Sequence, residues 1–290
     1  MATAVVEKLL DGKALALEIR KNLRPRIQDV QEALGVAPGL AVLRVGDNPA
    51  SKIYVANKEK ACKEIGIVSF PYELPDATTQ QYLLELIDQL NRMPQVHAIL
   101  VQLPLPKHID ANVIIESIHP DKDADGFHPR NLGRLLADLP EPIVPCTPAG
   151  VMKLIDLTGI VLEGKSAVVI GRSTIVGKPV AQLLLKRNAT VTICHSKTKN
   201  LAKITKAADV IVVAVGKPKT LTADMVKGGT IVIDVGINRI PGGGVEGDVD
   251  FAAVEPIVKH ITPVPGGVGP MTIAMLLRNT VEAAERRMKR

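Results

Sequence analysis

Ser166-Ala-Val-Val-Ile-Gly171-Arg-Ser-Thr-Ile-Val-Gly177-Lys-Pro179 runs from a strand of small aliphatic residues through a glycine turn into a helix. A glycine at a strand end, followed by a helix N-terminus, builds a cradle of backbone N–H groups that suits a phosphate. The spacing departs from G-x-G-x-x-G, since Ser173 stands at the second glycine and Gly177 comes one residue late. Taken alone, the stretch reads equally well as a tight strand-to-helix turn. The next strand, Thr190–Cys194, runs into His195-Ser196-Lys197. At that strand end an NAD-binding domain places an acidic residue against the ribose 2′-hydroxyl. Ser196 and Lys197, with Arg172 in the turn, would instead welcome a 2′-phosphate, which favours NADP over NAD; plain surface charges are the alternative. Two later strands end at Gly216-Lys-Pro and Gly236-Ile237-Asn238, where glycines let a cofactor approach the backbone or simply close tight loops.

Outward from this stretch, strand-like and helix-like apolar runs alternate. A helix is expected from just after Asp11 to Leu34, with Pro25 as a kink. A strand Leu40–Val45 follows, then a helix carrying Tyr54 and Lys58 and ending at Gly66, a strand Val68–Glu73 and a helix Thr78–Asn91. A strand His97–Leu103 and a short helix Ala111–Ile118 complete this series. Between Pro120 and Pro148 the pattern lapses, save for a short helix at Asn131–Ala137. A second series then brings helix Ala149–Leu157, strand Ser166–Ile170, helix Val176–Arg187, strand Thr190–Cys194, helix Leu201–Lys206, strands Val210–Val215 and Thr230–Val235, and a last helix from Met271. This order predicts parallel sheets with right-handed crossovers: an α/β protein with an N-terminal parallel α/β sheet domain over 1–148 and a Rossmann-like NADP-binding domain over 149–270.

Composition agrees. Of 290 residues, 46% are hydrophobic, yet there is no Trp and only three Phe and three Tyr. An aliphatic core suits buried parallel strands flanked by helices, and the lack of aromatic platforms argues against single-stranded nucleic acid. The net charge of +6 is densest in the tail, at Arg286, Arg287, Lys289 and Arg290. It favours anionic small molecules and is too diffuse for nucleic acid. Cys62, Cys146 and Cys194 lie far apart without a Cys-x-x-Cys, which offers no zinc site and fits a reducing compartment. No apolar run reaches membrane-spanning length and Met1–Leu10 lacks a targeting pattern, so a cytoplasmic protein is expected.

Three motifs in the first half, and one near the end, carry chemistry. In Ser51-Lys-Ile-Tyr54-Val-Ala-Asn-Lys58 a phenol and an amine lie four apart and so share one helix face. Such pairs are usually solvated, but a partly desolvated one can handle protons. Gln102-Leu-Pro-Leu-Pro106 ends a strand with an amide that could reach Lys58, an exposed strand-terminal amide being the equal alternative. Asp121-Lys-Asp-Ala-Asp125-Gly126 holds three acids in five residues without calcium-loop spacing. Asp125 suits the reading of a substrate's N–H groups, an acidic turn being the alternative. Thr262-Pro-Val-Pro265-Gly266-Gly267-Val-Gly-Pro-Met-Thr272 is a stiff strap with close-approach points, entering a helix.

Together these stretches resemble the methylenetetrahydrofolate dehydrogenase/methenyltetrahydrofolate cyclohydrolase family. The matching segments are Val45–Lys58, Val101–Pro106, Lys122–Phe127, Pro145–Gly150, Gly171–Pro179, Cys194–Lys197 and Thr262–Thr272, in the family's order over nearly the whole chain. The resemblance implies a two-domain subunit, paired as a homodimer, with a tetrahydrofolate derivative (polyglutamylated or not) between the domains and the helix 271–290 completing the first. It implies catalytic roles for Lys58, Tyr54 and Gln102, pterin binding by Asp125, and NADP contacts from Arg172, Ser173 and Ser196. Ser51, Pro265, Gly266 and Gly267 join the implied substrate site; Gly171, Ile175, Gly177, Gly216 and Ile237 join the cofactor site; no metal is implied. Ala124 replaces a common Val, and the chain lacks the departures of the family's NAD-using branch. Two other classes stay open: a non-catalytic folate or nucleotide binder, and an NADP dehydrogenase of a small hydroxy or keto acid such as the shikimate type.

Overall fold

The structure, a computed structural model, describes residues 7–240 and 242–288; most of the N-terminal segment read for a targeting pattern, and Lys289 and Arg290 of the basic tail, lie outside the described residues. The chain forms two compact units, one of Leu17–Val144 with Ile273–Arg290 and the other of Met1–Ala16 with Pro145–Thr272. Among the described residues no helix is long and apolar enough to cross a membrane.

The first unit contains α1 (Gly12–Leu34) from Leu17 onward, β1 (Gly39–Val45), α2 (Pro49–Ile65), β2 (Val68–Leu74), α3 (Gln80–Arg92), β3 (Ala98–Val101), α4 (Ala111–Ser117) and α5 (Pro129–Leu136). Its sheet runs β2-β1-β3, all parallel. All seven residues of the central β1 are buried, which is why its sequence is a near-continuous aliphatic run. Ala41, Leu43 and Val45 pack with Ile99 and Val101 against Leu83, Ile87 and Leu90 of α3 and Ile114 of α4. Leu83, Ile87 and Leu90 recur at helical spacing, and each is worth roughly 1.5–3 kcal/mol on burial. Helix α2 is bounded by local chemistry. Asn48 Oδ1 accepts the N–H of Ala50 at 2.9 Å, Pro49 begins the helix, and Gly66 ends it at φ 92°.

The second unit contains α6 (Cys146–Leu157), β4 (Ser166–Ile170), α7 (Gly177–Lys186), β5 (Thr190–Cys194), α8 (Leu201–Ala207), β6 (Val210–Val213), β7 (Ile231–Asp234), the hairpin β8 (Asn238–Arg239) and β9 (Val245–Glu246), α9 (Phe251–Val254), β10 (His260–Ile261) and the start of α10 (Val268–Met288). The sheet order is β10-β7-β6-β4-β5, parallel throughout, over a core that includes Val168, Ile170, Ile211, Val213, Val232 and Ile261. With β5 on one side of β4 and β6 on the other, the order reverses at β4, and ligands of such sheets bind beyond the strand ends there. The structure shortens some expected elements and adds others. β6 stops at Val213 because the next free N–H groups turn to a buried carboxylate, and α10 begins at Val268 because Pro270 falls in the first turn, where its missing N–H costs nothing. β8, β9 and β10 hold two residues each, too few for a period to show.

Candidate active site

Lys58 and Gln102 come together because β1 and β3 are parallel neighbours. Gln102 N–H donates to Leu43 O at 2.8 Å, extending the ladder by one residue and setting the amide at the carboxyl end of the sheet. The half-buried Lys58 Nζ donates to Gln102 Oε1 at 3.0 Å, while Gln102 Nε2 donates to Leu103 O at 2.7 Å. That second bond fixes the amide, so its oxygen is the atom that faces the amine. Tyr54 lies one turn earlier on the same face of α2 with 41% of its surface exposed. Ser51 is buried in the first turn, its N–H donating to Asn48 Oδ1 at 3.3 Å.

Asp125 reaches the same place by a different route. Asp123 bridges Ile99 in parallel and Ala124 N–H donates to Ile99 O at 3.1 Å, so the acidic turn runs alongside β3. Asp125 is partly buried; desolvation pushes its carboxyl up to about 6, against the pull of Lys58 and with a further push from Asp123. Asp123, which sequence reasoning passed over, is 3% exposed and organises the turn. Its carboxylate accepts the N–H groups of Gly126 (3.0 Å), Phe127 (3.2 Å) and His128 (2.8 Å) and the Asn131 amide (2.9 Å).

In the second unit Ile170 pairs with Cys194, and Gly171 N–H donates to Cys194 O at 2.9 Å, so Arg172 and Ser196 spring from adjacent strand ends. Gly171 has φ 129°, and a Cβ there would sit 2.3 Å from Ala214 O; a Cβ on Gly177 would sit 2.3 Å from Gly171 O. Only glycines close this turn. Ser173 does more than replace a glycine: its Oγ accepts the N–H groups of Val176 (3.2 Å) and Gly177 (3.3 Å), capping α7, which has no other side-chain cap. Arg172, Ser173 and Ile175 form an exposed crown, with Ser196 and Lys197 exposed beside it and no carboxylate at that strand end. This cationic crown over a glycine turn fits a nucleotide carrying a 2′-phosphate. Gly216 and Ile237 are exposed at the ends of the loops after β6 and β7.

Two buried carboxylates that the sequence did not single out hold those loops. Asp248 accepts Val215, Gly216 and Lys217 N–H at 2.7, 2.9 and 2.8 Å and the Asn238 amide at 2.9 Å. Asp234 accepts Gly236, Asp248 and Val249 N–H, each at 2.9 Å; burial pushes it up to about 6 against the lowering effect of those bonds. The strap belongs to this unit too. Lys13 N–H donates to Gly266 O at 3.1 Å, a Cβ on Gly12 would lie 1.8 Å from Gly267 O, and Pro265 stays exposed between buried Thr262 and buried Gly266–Gly267. Among the described residues no group of three or more His, Cys, Asp or Glu is placed to hold a metal ion.

Residues 10–125 match the family model for the tetrahydrofolate dehydrogenase/cyclohydrolase catalytic domain, and residues 145–288 match that for its NAD(P)-binding domain. The chain is 54% identical to the bifunctional protein FolD of Streptococcus pneumoniae serotype 4 over 98% of this chain and 99% of that protein. It belongs to the tetrahydrofolate dehydrogenase/cyclohydrolase family. Among solved structures, the bifunctional FolD enzyme of Campylobacter jejuni shares 55% identity at TM-score 0.94, covering 96% of this chain and 99% of that one. The Trypanosoma brucei methylenetetrahydrofolate dehydrogenase-cyclohydrolase, solved with NADP and an inhibitor, shares 40% at TM-score 0.93, with 100% of both chains covered. Within the tetrahydrofolate dehydrogenase/cyclohydrolase family models, Tyr54, Lys58, Gln102 and Asp125 fall in the catalytic match and the phosphate turn falls in the NAD(P) match.

Proposed function

We propose that this enzyme oxidises 5,10-methylenetetrahydrofolate to 5,10-methenyltetrahydrofolate with NADP and hydrolyses the product to 10-formyltetrahydrofolate, working as a cytoplasmic homodimer. The observation that carries the reading is the Lys58 Nζ–Gln102 Oε1 hydrogen bond of 3.0 Å, set beside a desolvated Asp125. Bound NADP supplies the hydride acceptor, with Arg172, Ser196 and Lys197 as partners for its 2′-phosphate and the Gly171–Gly177 turn for its pyrophosphate. Loss of hydride from the bridging carbon is stabilised by the two flanking nitrogens, so this step needs no base. The chain contributes position: Asp125 accepts the N–H groups of the pterin ring, and the exposed face of Tyr54 gives the substrate a surface to lie against.

Hydrolysis asks more of the side chains. Water adds to the methenyl carbon and gives up one proton; the bond from that carbon to N5 then breaks as N5 gains a proton and the remaining hydroxyl proton leaves to form the formyl carbonyl, so one proton is released overall. Lys58 orients the water and moves the proton, with Gln102 holding the amine on line. The three buried cysteines, none in a disulfide, suit the reducing compartment of the proposal. Lys58→Met is expected to lower hydrolysis of supplied methenyltetrahydrofolate by about 100-fold or more, the scale of a lost proton-transfer group, while folate binding persists. Absorbance of the methenyl chromophore and an equilibrium binding titration read the two quantities. Full retention of hydrolysis would remove Lys58 from the mechanism.

A further inference from the structure

At the amino end of the three-stranded sheet lies a cavity of about 450 Å³. His97 precedes β3 as Gln102 follows it, so five residues of extended chain, about 16 Å, separate this cavity from the Lys58 cluster. His97 is 3% exposed and lines the cavity wall. Its Nδ1 accepts the Gly39 N–H at 3.0 Å, so the neutral ring carries its proton on Nε2. That Nε2 is buried and has no hydrogen-bond partner among the described residues. A buried donor left without an acceptor is unfavourable until one reaches it.

The rest of the lining selects the sign of that acceptor. Arg92, Lys122, Arg286 and Arg287 face the cavity, against one carboxylate, Asp121. Part of this charge has a structural use, for Lys122 Nζ donates to Leu90 O (3.0 Å) and Met93 O (2.9 Å), and Arg287 donates to Pro94 O, closing the carbonyl end of α3. Arg92 pairs with Asp88 and Arg286 donates to Glu141 O at 3.2 Å, so each of the four cations also has a partner on the protein. Burial first, and then Arg287, hold Lys122 down to about 8; burial first, and then Arg287 and Lys122, hold His97 down to about 4. A second cavity of about 320 Å³, which adds Arg130, Arg134 and one further carboxylate residue, Glu141, shares Asp121 and Arg286 with the first.

We infer that these joined cavities form a binding site for a small polyanion of the phosphate class, in which one oxyanion accepts from His97 Nε2 and the arginines of α10 neutralise the remainder. The site stands apart from the folate and nucleotide residues and would bind whether or not either ligand is present. Inorganic pyrophosphate is the probe, titrated into ¹⁵N-histidine-labelled full-length protein at constant ionic strength, with sodium chloride as control. The His97 Nε2 resonance is expected to move saturably with pyrophosphate and not with chloride. Arg286→Gln/Arg287→Gln is expected to weaken that titration by about 10-fold or more, the scale of lost charge-assisted contacts, with Arg287→Gln alone giving a smaller loss in the same direction should the double variant fold poorly. No saturable movement up to about 10 mM pyrophosphate, where even a millimolar Kd would give near-saturation, overturns the inference. So does an affinity unchanged by the arginine substitutions.

Discussion

At Gln102 a single amide settles which atom meets the amine, and this makes charge at that position testable. Gln102→Glu puts a carboxylate where a neutral oxygen now lies 3.0 Å from Lys58 Nζ. The new ion pair favours the protonated amine, so a lysine asked to take up a proton is disabled. Hydrolysis by Gln102→Glu is expected to fall by at least about 10-fold at neutral pH, the equivalent of one pKa unit, while folate binding survives; a stopped-flow trace of methenyl decay as fast as the parent's would remove Gln102 from this role. Asp125 makes a second residue-scale prediction, with a defined sign. Its folded carboxyl lies near 6 rather than 3.8, so on lowering the pH through 6 it gains a proton and would lose the power to accept the two pterin N–H groups proposed for it. KM for methylenetetrahydrofolate is therefore expected to rise as pH falls from 7 to 5, and Asp125→Asn to be high in KM and flat across the same window. A parent profile that is flat between those values contradicts the assignment. The same shift opposes stability in the other direction: the folded state binds the proton more tightly than the unfolded chain, so this group's contribution declines as pH rises from about 4 to about 6.

Elements are positioned here by buried carboxylates at loop ends as much as by helix and strand propensity. Asp123 gathers three backbone N–H groups and the Asn131 amide, and with the Ala124 N–H bond to Ile99 O and the Asn279 amide on Ala124 O it defines the turn that presents Asp125. Asp123→Ala strips the acceptor from four donors at once. Allowing for some to find water, the expected loss is about 3 kcal/mol in urea denaturation, with a higher folate KM and an unchanged KM for NADP. A variant with parental stability and folate KM would show that the turn holds itself. Such devices also mark where sequence reading stops. The strand Ser166–Ile170, the end of α2 at Gly66, and the amide of Gln102 beside Lys58 were legible, because each is fixed by residues close in the chain or by the general rule that parallel strand ends share a face. Asp123 was not. Nothing local distinguishes it from Asp121 and Asp125, and only packing alongside β3 decides which of the three is buried. Asp248 was hidden for a related reason: its N–H partners at Val215, Gly216 and Lys217 lie more than thirty residues earlier in the chain. β10, with two residues, is set by β7 on one side and by the Leu9 bridge to Ile261 on the other.

For the molecule as a whole, each of the two units carries the residues proposed for a different half of the chemistry, a division that would make the activities separable by mutation. Hydrolysis consumes water and no hydride, so the residues proposed for the 2′-phosphate have no part in it. Arg172 is exposed at the phosphate turn, and its removal costs charge-assisted contacts to a phosphate worth about 1.5–3 kcal/mol, or about 10- to 150-fold in affinity. Arg172→Ala is thus expected to raise KM for NADP by that range, to change KM for NAD by less than about 3-fold because no 2′-phosphate contact is lost, and to leave hydrolysis of supplied methenyltetrahydrofolate at the parental rate. Ser196→Asp should move in the same direction, adding repulsion of the 2′-phosphate at the end of β5 where an NAD-binding chain places its acid. Lys58→Met is the mirror image, with hydrolysis lost and the KM for NADP unchanged. Measuring both half-reactions with both cofactors on these three variants yields opposite patterns if the roles are divided between the units. Equal loss of NADP and NAD use in Arg172→Ala would mean that the arginine grips a part common to both dinucleotides, and the preference for NADP would then have to be sought in Ser196 and Lys197.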